Sequence, residues 1–218
     1  MKVLFAGYRH WSLELLRRIK NNHPDVIWIS ADSPENLSLL FEQKSFDLIL
    51  LAGWSWILPK NMVESIDVLG LHPSDLPSFA GGSPIQNQIL NGVNDTKMTL
   101  FRLNEKVDDG DILYKEPLSL LGHMEDIFEN MIESSENIIS RLVDDFPELV
   151  YQKQNKLPES ENYRRVKPSQ SRITLDDMAN MNTLELYDFI RCREDPYPNV
   201  YIEDSFGKLY FKFVEHVK

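Results

Sequence analysis

Four short apolar runs, at Lys2–Ala6, Val26–Ser30, Phe46–Leu51 and Asp67–Leu71, recur along the first third of the chain with helical patterns between them. Ser12–Asn21 carries leucines at 13, 15 and 16 and Ile19, the spacing of an amphipathic helix. Ser33-Pro34-Glu35 reads as an N-cap, an N1 proline and an acidic first turn, opening a helix that reaches Gln43. Pro59 opens a short third helix. Alternation of strand and helix in this order leaves few solutions, because consecutive parallel strands need crossovers that cover the sheet. The expected fold is α/β, a Rossmann-like doubly wound and mostly parallel sheet.

The later chain reads differently. Pro84–Leu90 is a helix closed by Asn91-Gly92, and Lys97–Leu103 and Ile112–Leu118 alternate as antiparallel strands about an Asp–Gly turn. Glu125–Leu149 has apolar residues at 127, 128, 131, 132, 138, 139, 142 and 143, a long amphipathic helix. Gln152 to Lys156 is polar and lysine-rich. It marks a boundary between a larger domain, residues 1–151, and a small C-terminal subdomain, residues 152–218, with one helix (Thr183–Arg191) and two strands (Val200–Glu203, Leu209–Val214). That subdomain is too small for a substantial core and is expected to pack on the first.

Hydrophobic residues make up 42% and charged residues 26%, a soluble globular balance. The formal net charge of −11 weighs against a nucleic-acid partner. An anionic small molecule would need arginines gathered locally, and Arg9, Arg164-Arg165, Arg191 and Arg193 are the candidates. The lone Cys192 excludes an internal disulfide and fits a reducing, cytoplasmic setting, as packing rather than as a nucleophile. Met1–Gly7 turns polar too soon for a signal peptide, and no apolar run is long enough to span a membrane.

The chemistry concentrates in two segments. Gly70-Leu71-His72-Pro73-Ser74-Asp75-Leu76-Pro77, followed by Gly81-Gly82-Ser83-Pro84-Ile85, places an imidazole where a buried strand gives way to a loop. Val107-Asp108-Asp109-Gly110-Asp111-Ile112-Leu113 puts three carboxylates on a glycine turn. A histidine beside a carboxylate can move a proton and hold charge. Taken alone, however, a strand-end histidine bonded to backbone and an ordinary Asp-Gly turn account for the same residues. A metal site is not expected: calcium-loop spacing and a second nearby histidine are both missing.

Together and in this order the segments resemble the formyltransferases that use N10-formyltetrahydrofolate. The resemblance extends to Phe5-Ala6-Gly7 and to Asp47–Trp54 with Ile57-Leu58-Pro59, and covers roughly the first 120 residues. It implies that His72 and Asp108 act together as the catalytic pair: they position the acceptor amine, shuttle its proton and stabilise a tetrahedral oxyanion. It also implies that Trp54, Ile57, Leu58, Val107, Asp109, Gly110 and Asp111 hold the folate cosubstrate. One position departs from the family. Its motif is Asn-x-His, and the asparagine, an oxyanion donor, is replaced here by Gly70. Ser74, Asn87 or Asn104 could substitute as donor, as could a water or a backbone amide freed by glycine; otherwise catalysis is lost and the protein only binds.

Within the family, the phosphate loop of glycinamide ribonucleotide formyltransferases is replaced by Gly7-Tyr8-Arg9-His10-Trp11. Methionyl-tRNA formyltransferases carry a further basic domain, not expected for this acidic chain. The sugar N-formyltransferases match better, through Arg164-Arg165-Val166-Lys167-Pro168-Ser169-Gln170-Ser171-Arg172-Ile173 and through Arg191 to Pro198. The resemblance therefore implies a nucleotide-linked amino-deoxysugar acceptor in bacterial surface-glycan synthesis, of the UDP-4-amino-4,6-dideoxy kind found in pseudaminic acid pathways. The alternatives are another small amine, a carrier-bound aminoacyl group or a binding-only relic. Arg9, His10, Trp11, Ser74, Gly81, Gly82 and Asn87 are the expected acceptor residues. Arg191 is expected to cap its helix or pair with Glu194 or Asp195, and Tyr197 to pack the C-terminal unit. The partners expected are the amino sugar, folate and a second copy of the chain, with no nucleic acid and no membrane.

Overall fold

The computed structural model describes residues 1–155 and 163–217. Lys156, the end of the expected boundary segment, lies outside them. The elements are β1 (Lys2–Ala6), α1 (His10–Asn22), β2 (Ile27–Ala31), α2 (Pro34–Gln43), β3 (Leu48–Ala52), α3 (Lys60–Ser65), β4 (Asp67–His72), α4 (Pro84–Leu90), β5 (Asp95–Arg102), β6 (Ile112–Ser119) and α5 (Met124–Asp145). A 3₁₀ turn (Pro168–Ser171), α6 (Leu175–Ala179), α7 (Thr183–Arg191), β7 (Val200–Asp204) and β8 (Gly207–Phe211) follow.

The main sheet runs β2-β1-β3-β4-β5-β6; the first four strands are parallel, and β5 and β6 are antiparallel. Alternating residues divide the core in two. Val3, Phe5, Leu48, Leu50, Leu69 and Leu71 face one layer, closed by Leu15 and Ile19 of α1 and Met131, Ile138 and Leu142 of α5. Leu4, Ala6, Ile49, Leu51 and Val68 face the other, closed by Leu37 of α2 and Met62 of α3. Both faces are covered, so the apolar runs need no polar alternation. Each fully buried aliphatic or Phe side chain contributes about 1.5–3 kcal/mol.

Local signals set the element ends. Ser33 caps α2 through Oγ, which accepts from the Asn36 N–H at 3.2 Å. Helix α5 stops at Asp145 rather than Leu149, because Pro147 forces the preceding residue out of the helical region and Phe146 is extended.

The C-terminal segment has a small cluster of its own around Ile173, Ile190 and Val200, while Cys192 and Tyr197 join the main core. Arg191 is buried. Its Nε donates to Asp188 at 2.6 Å, and its Nη1 donates to the carbonyls of Leu120 and Gly122 at 2.6 and 2.9 Å. Asp188, not Glu194 or Asp195, is thus its carboxylate partner. Glu194 instead pairs with His123 Nδ1 (2.7 Å) and accepts from the Met124 N–H (3.0 Å) at the start of α5. Tyr197 packs on Phe128 of α5, so it pins this segment to the sheet domain and does not fill the small cluster. Among the described residues, no helix is long and apolar enough to cross a membrane.

Candidate active site

Strand β4 lies between β3 and β5, and its alternation puts Gly70 and His72 on the same face as Val68. His72 ends the strand, 7% exposed. The chain then folds tightly over it. Phe79, in a left-handed conformation (φ 56°), brings its carbonyl to 3.2 Å from His72 Nε2. The other ring nitrogen, Nδ1, faces Asp108 Oδ2 at 3.5 Å. The same Oδ2 accepts from the Gly81 N–H at 2.8 Å. Asp108 Oδ1 has no partner among the described residues, so one carboxylate oxygen is fixed and the other is open.

Glycines at 81 and 82 are required because another backbone passes over them. A Cβ on Gly81, whose φ is +105°, would sit 2.3 Å from the Tyr163 carbonyl oxygen; one on Gly82 would sit 2.5 Å from the Arg165 nitrogen. That strap is hydrogen-bonded through Tyr163 N–H to Ala80 O (2.8 Å), Gly82 N–H to Tyr163 O (2.8 Å) and Val166 N–H to Ser83 Oγ (3.1 Å). Phe79 stacks on Tyr163 at 4.7 Å. Nothing in local sequence links residue 163 to residue 81, so this support was not visible there.

Asp108 is held in a left-handed turn, φ 51°. The Gln154 amide donates to the Asp108 and Gly110 carbonyls at 2.9 and 2.6 Å. A Cβ on Gly110 would lie 1.6 Å from the Arg102 carbonyl oxygen, which excludes any side chain there. Beside this turn opens a cavity of about 330 Å³, lined by Val63, Leu103, Asn104, Glu105, Gly110 and Asp111 among others. Its lining is mainly polar and charged, with Glu64 and Arg102 completing it and Val63 and Leu103 as the apolar side chains. Leu103 also belongs to the cluster that holds Trp54 and Leu58, and Trp54 Nε1 is a buried donor without a partner among the described residues.

The expected folate residues therefore separate. Gly110 and Asp111 border the cavity, and Trp54 and Leu58 pack in the adjoining cluster. Ile57 and Val107 are exposed, at 95% and 62%, and Asp109 is half-buried on the turn.

At position 70 two side chains crowd the place of the family's asparagine. A Cβ there would meet Leu103 Cδ1 at 2.8 Å and Phe101 Cε1 at 3.1 Å, so both would have to give way. The Gly70 backbone sits between two strands and belongs to the sheet. Of the substitute donors, Ser74 is fully buried and donates to the Ser78 carbonyl (2.7 Å), which removes it from the acceptor set as well. Asn87 donates to the Gly82 and Arg164 carbonyls at 2.7 and 3.2 Å, a strap contact. Asn104 borders the cavity, with Oδ1 accepting from the Lys106 N–H.

On the acceptor side, Arg9 lies where β1 and β3 part, the switch point of the sheet. Its Nη2 donates to Ser55 Oγ at 3.3 Å, beside Tyr8, Trp54 and Trp56, whose rings pack at 4.6 to 6.5 Å. His10 is exposed at the start of α1. Trp11 is a core residue, 5% exposed, and so is not placed to touch a ligand. Among the described residues, no group of three or more His, Cys, Asp or Glu side chains is placed to hold a metal.

The His72–Asp108 pair thus lies at the carboxyl edge of an open α/β sheet, with the cavity beside the Asp108 turn. The chain belongs to the formyl transferase family, whose family model matches residues 17–139. It is 29% identical over 170 residues to a methionyl-tRNA formyltransferase of Campylobacter curvus, covering 78% of this chain and 53% of that protein. The chain spans about half the length of such curated relatives. Among solved structures, a methionyl-tRNA formyltransferase from Clostridium thermocellum superposes with a TM-score of 0.84 at 28% identity, covering 100% of this chain and 94% of that one. A sugar N-formyltransferase from Shewanella sp. superposes with a TM-score of 0.73 at 18% identity, covering 100% and 99%, and so shares the fold.

Proposed function

We propose that the protein transfers a formyl group from N10-formyltetrahydrofolate to the amino group of a nucleotide-linked amino-deoxysugar. The observation that carries this reading is the convergence of His72 and Asp108, 3.5 Å apart, beside the cavity walled by Gly110 and Asp111. When bound, the cosubstrate supplies an electrophilic formyl carbon. Leu103, Gly110 and Asp111 would hold its ring, with Trp54 and Leu58 packed behind them.

Asp108 does two things. Its Oδ2, fixed by the Gly81 N–H, orients the imidazole, and its open Oδ1 takes the proton that the attacking amine must lose. His72 stands between two acceptors, the Phe79 carbonyl at 3.2 Å from Nε2 and the Asp108 carboxylate at 3.5 Å from Nδ1. A proton on the ring would offer a hydrogen bond to a developing oxyanion, a role that falls more to His72 because position 70 has no side chain.

An anionic acceptor is supported by Arg9, Arg164 and Arg165. None has a carboxylate partner among the described residues, and the last two flank the catalytic loop through the strap. In a chain of net charge −11, guanidinium groups without a carboxylate partner among the described residues favour a phosphorylated small molecule. A second reading, an aminoacyl group on tRNA as acceptor, is favoured by the names of the sequence relatives; the overall acidity opposes it.

The test is incubation with N10-formyltetrahydrofolate and a panel of UDP- and dTDP-linked amino sugars, with methionyl-tRNA alongside, read by mass. Formylation of a sugar nucleotide is the expected result. Formylation of methionyl-tRNA alone would replace it, and folate binding without transfer to any amine would leave a binding protein.

A further inference from the structure

Three features of the Asp108 turn have to coexist. The residue is left-handed at φ 51°, the turn is pressed against β5 at Gly110, and the carboxylate must still reach both His72 and the Gly81 N–H. The left-handed region costs a non-glycine residue some strain, least for Asp and Asn, and it persists where neighbouring groups hold it. Gln154 is the side chain that does so. Its Nε2 has two hydrogens, and both are spent on this turn, one on Asp108 O at 2.9 Å and one on Gly110 O at 2.6 Å. The glutamine is itself anchored two residues earlier. Gln152 forms a reciprocal backbone pair with Ile112, at 2.7 and 2.8 Å, immediately after the turn. The polar run that reads as a linker is therefore part of the site.

We infer that Gln154 is a positioning residue for Asp108: its amide fixes the left-handed turn and so aims the carboxylate at His72 and the acceptor amine. This deepens the formyl-transfer reading and rests on it for its kinetic arm alone. Misplacing a reacting group by about 1 Å costs on the order of a hundredfold in rate. Gln154→Ala is expected to lower kcat by about that factor, with the KM of the acceptor nearly unchanged, since both hydrogens of its amide are spent on the turn. Gln154→Glu keeps the volume and removes both donors, so it is expected to be at least as impaired. In a cycle with Asp108→Asn, the double variant should be no slower than Asp108→Asn alone.

The second arm needs no turnover. Amide hydrogen exchange at Gly81, whose N–H donates to Asp108, should quicken at least tenfold in Gln154→Ala and in Gln154→Glu, while amides of α5 keep their protection. Lys153→Ala, an exposed neighbour, should leave both arms unchanged. Gly81 exchange that stays at the wild-type rate in both variants overturns the inference, as does an active Gln154→Glu. Faster Gly81 exchange in a protein that formylates no amine upholds the positioning role and removes the formyl-transfer reading.

Discussion

The Asp108 carboxylate and the Gly81 N–H meet at 2.8 Å across twenty-seven residues of chain, and that contact joins the two motif segments into one site. His72 stands on the other side of the same oxygen. The catalytic loop, the acidic turn and the strap at Tyr163–Val166 are therefore one hydrogen-bonded unit, and a change in any of them should be felt at Asp108.

Gly110→Ala tests the turn. Its Cβ would fall 1.6 Å from the Arg102 carbonyl oxygen, a backbone atom that cannot swing aside. The turn must shift, at a cost of about 1–3 kcal/mol in stability and on the order of a hundredfold in rate. Urea unfolding and formyl-transfer kinetics measure the two effects.

Gly70→Asn restores the family's residue and is expected to fail. Leu103 and Phe101 crowd this position and must shift to admit the side chain, so the variant should lose about 1–3 kcal/mol by overpacking and gain no rate. Paired with Phe101→Ala it should recover rate relative to Gly70→Asn alone. A faster single variant would show that position 70 has room after all.

Arg191→Ala removes a buried guanidinium that is paired with Asp188 and bonded to the Leu120 and Gly122 carbonyls. Breaking such a buried set costs about 3–5 kcal/mol. Because Arg191 joins α7 to the segment before α5, protease nicking after residue 163 should become faster in the variant. Digestion followed by mass analysis checks this.

Burial pushes the Cys192 thiol up to about 11, against the opposing pull of Arg193 and Arg191. Below that pH the sulfur is neutral and shielded, whereas an exposed thiol ionises near its ordinary value. At pH 8 a disulfide reagent should therefore leave the native protein unmodified and label it fully in denaturant. Labelling of the native protein at the denatured rate would place Cys192 at the surface.

Much of this molecule is legible in its residues. The four parallel strands, the Ser33 cap and helix Pro84–Leu90 follow from periodicity and capping chemistry, because those signals are local. The His72–Asp108 pair is legible through a family resemblance, not through spacing. Long-range partners are not legible. Gln154 reads as linker because its role depends on carbonyls more than forty residues away. Arg191 reads as a partner of Glu194, yet the two side chains diverge to different parts of the α5 junction. Ser74 looks available for a ligand in sequence, and only the fold shows its hydroxyl turned inward to Ser78.

The account's central claim is that His72 and Asp108 do one job together. The most direct measurement is the single-turnover rate of formyl transfer in wild type, His72→Ala, Asp108→Ala and the double variant, each confirmed folded by thermal unfolding. Each single change should slow transfer by about 10²–10⁴-fold, and the double variant should be little slower than the worse single one. Near-wild-type rates in either single variant, or losses that multiply in the double, would contradict it.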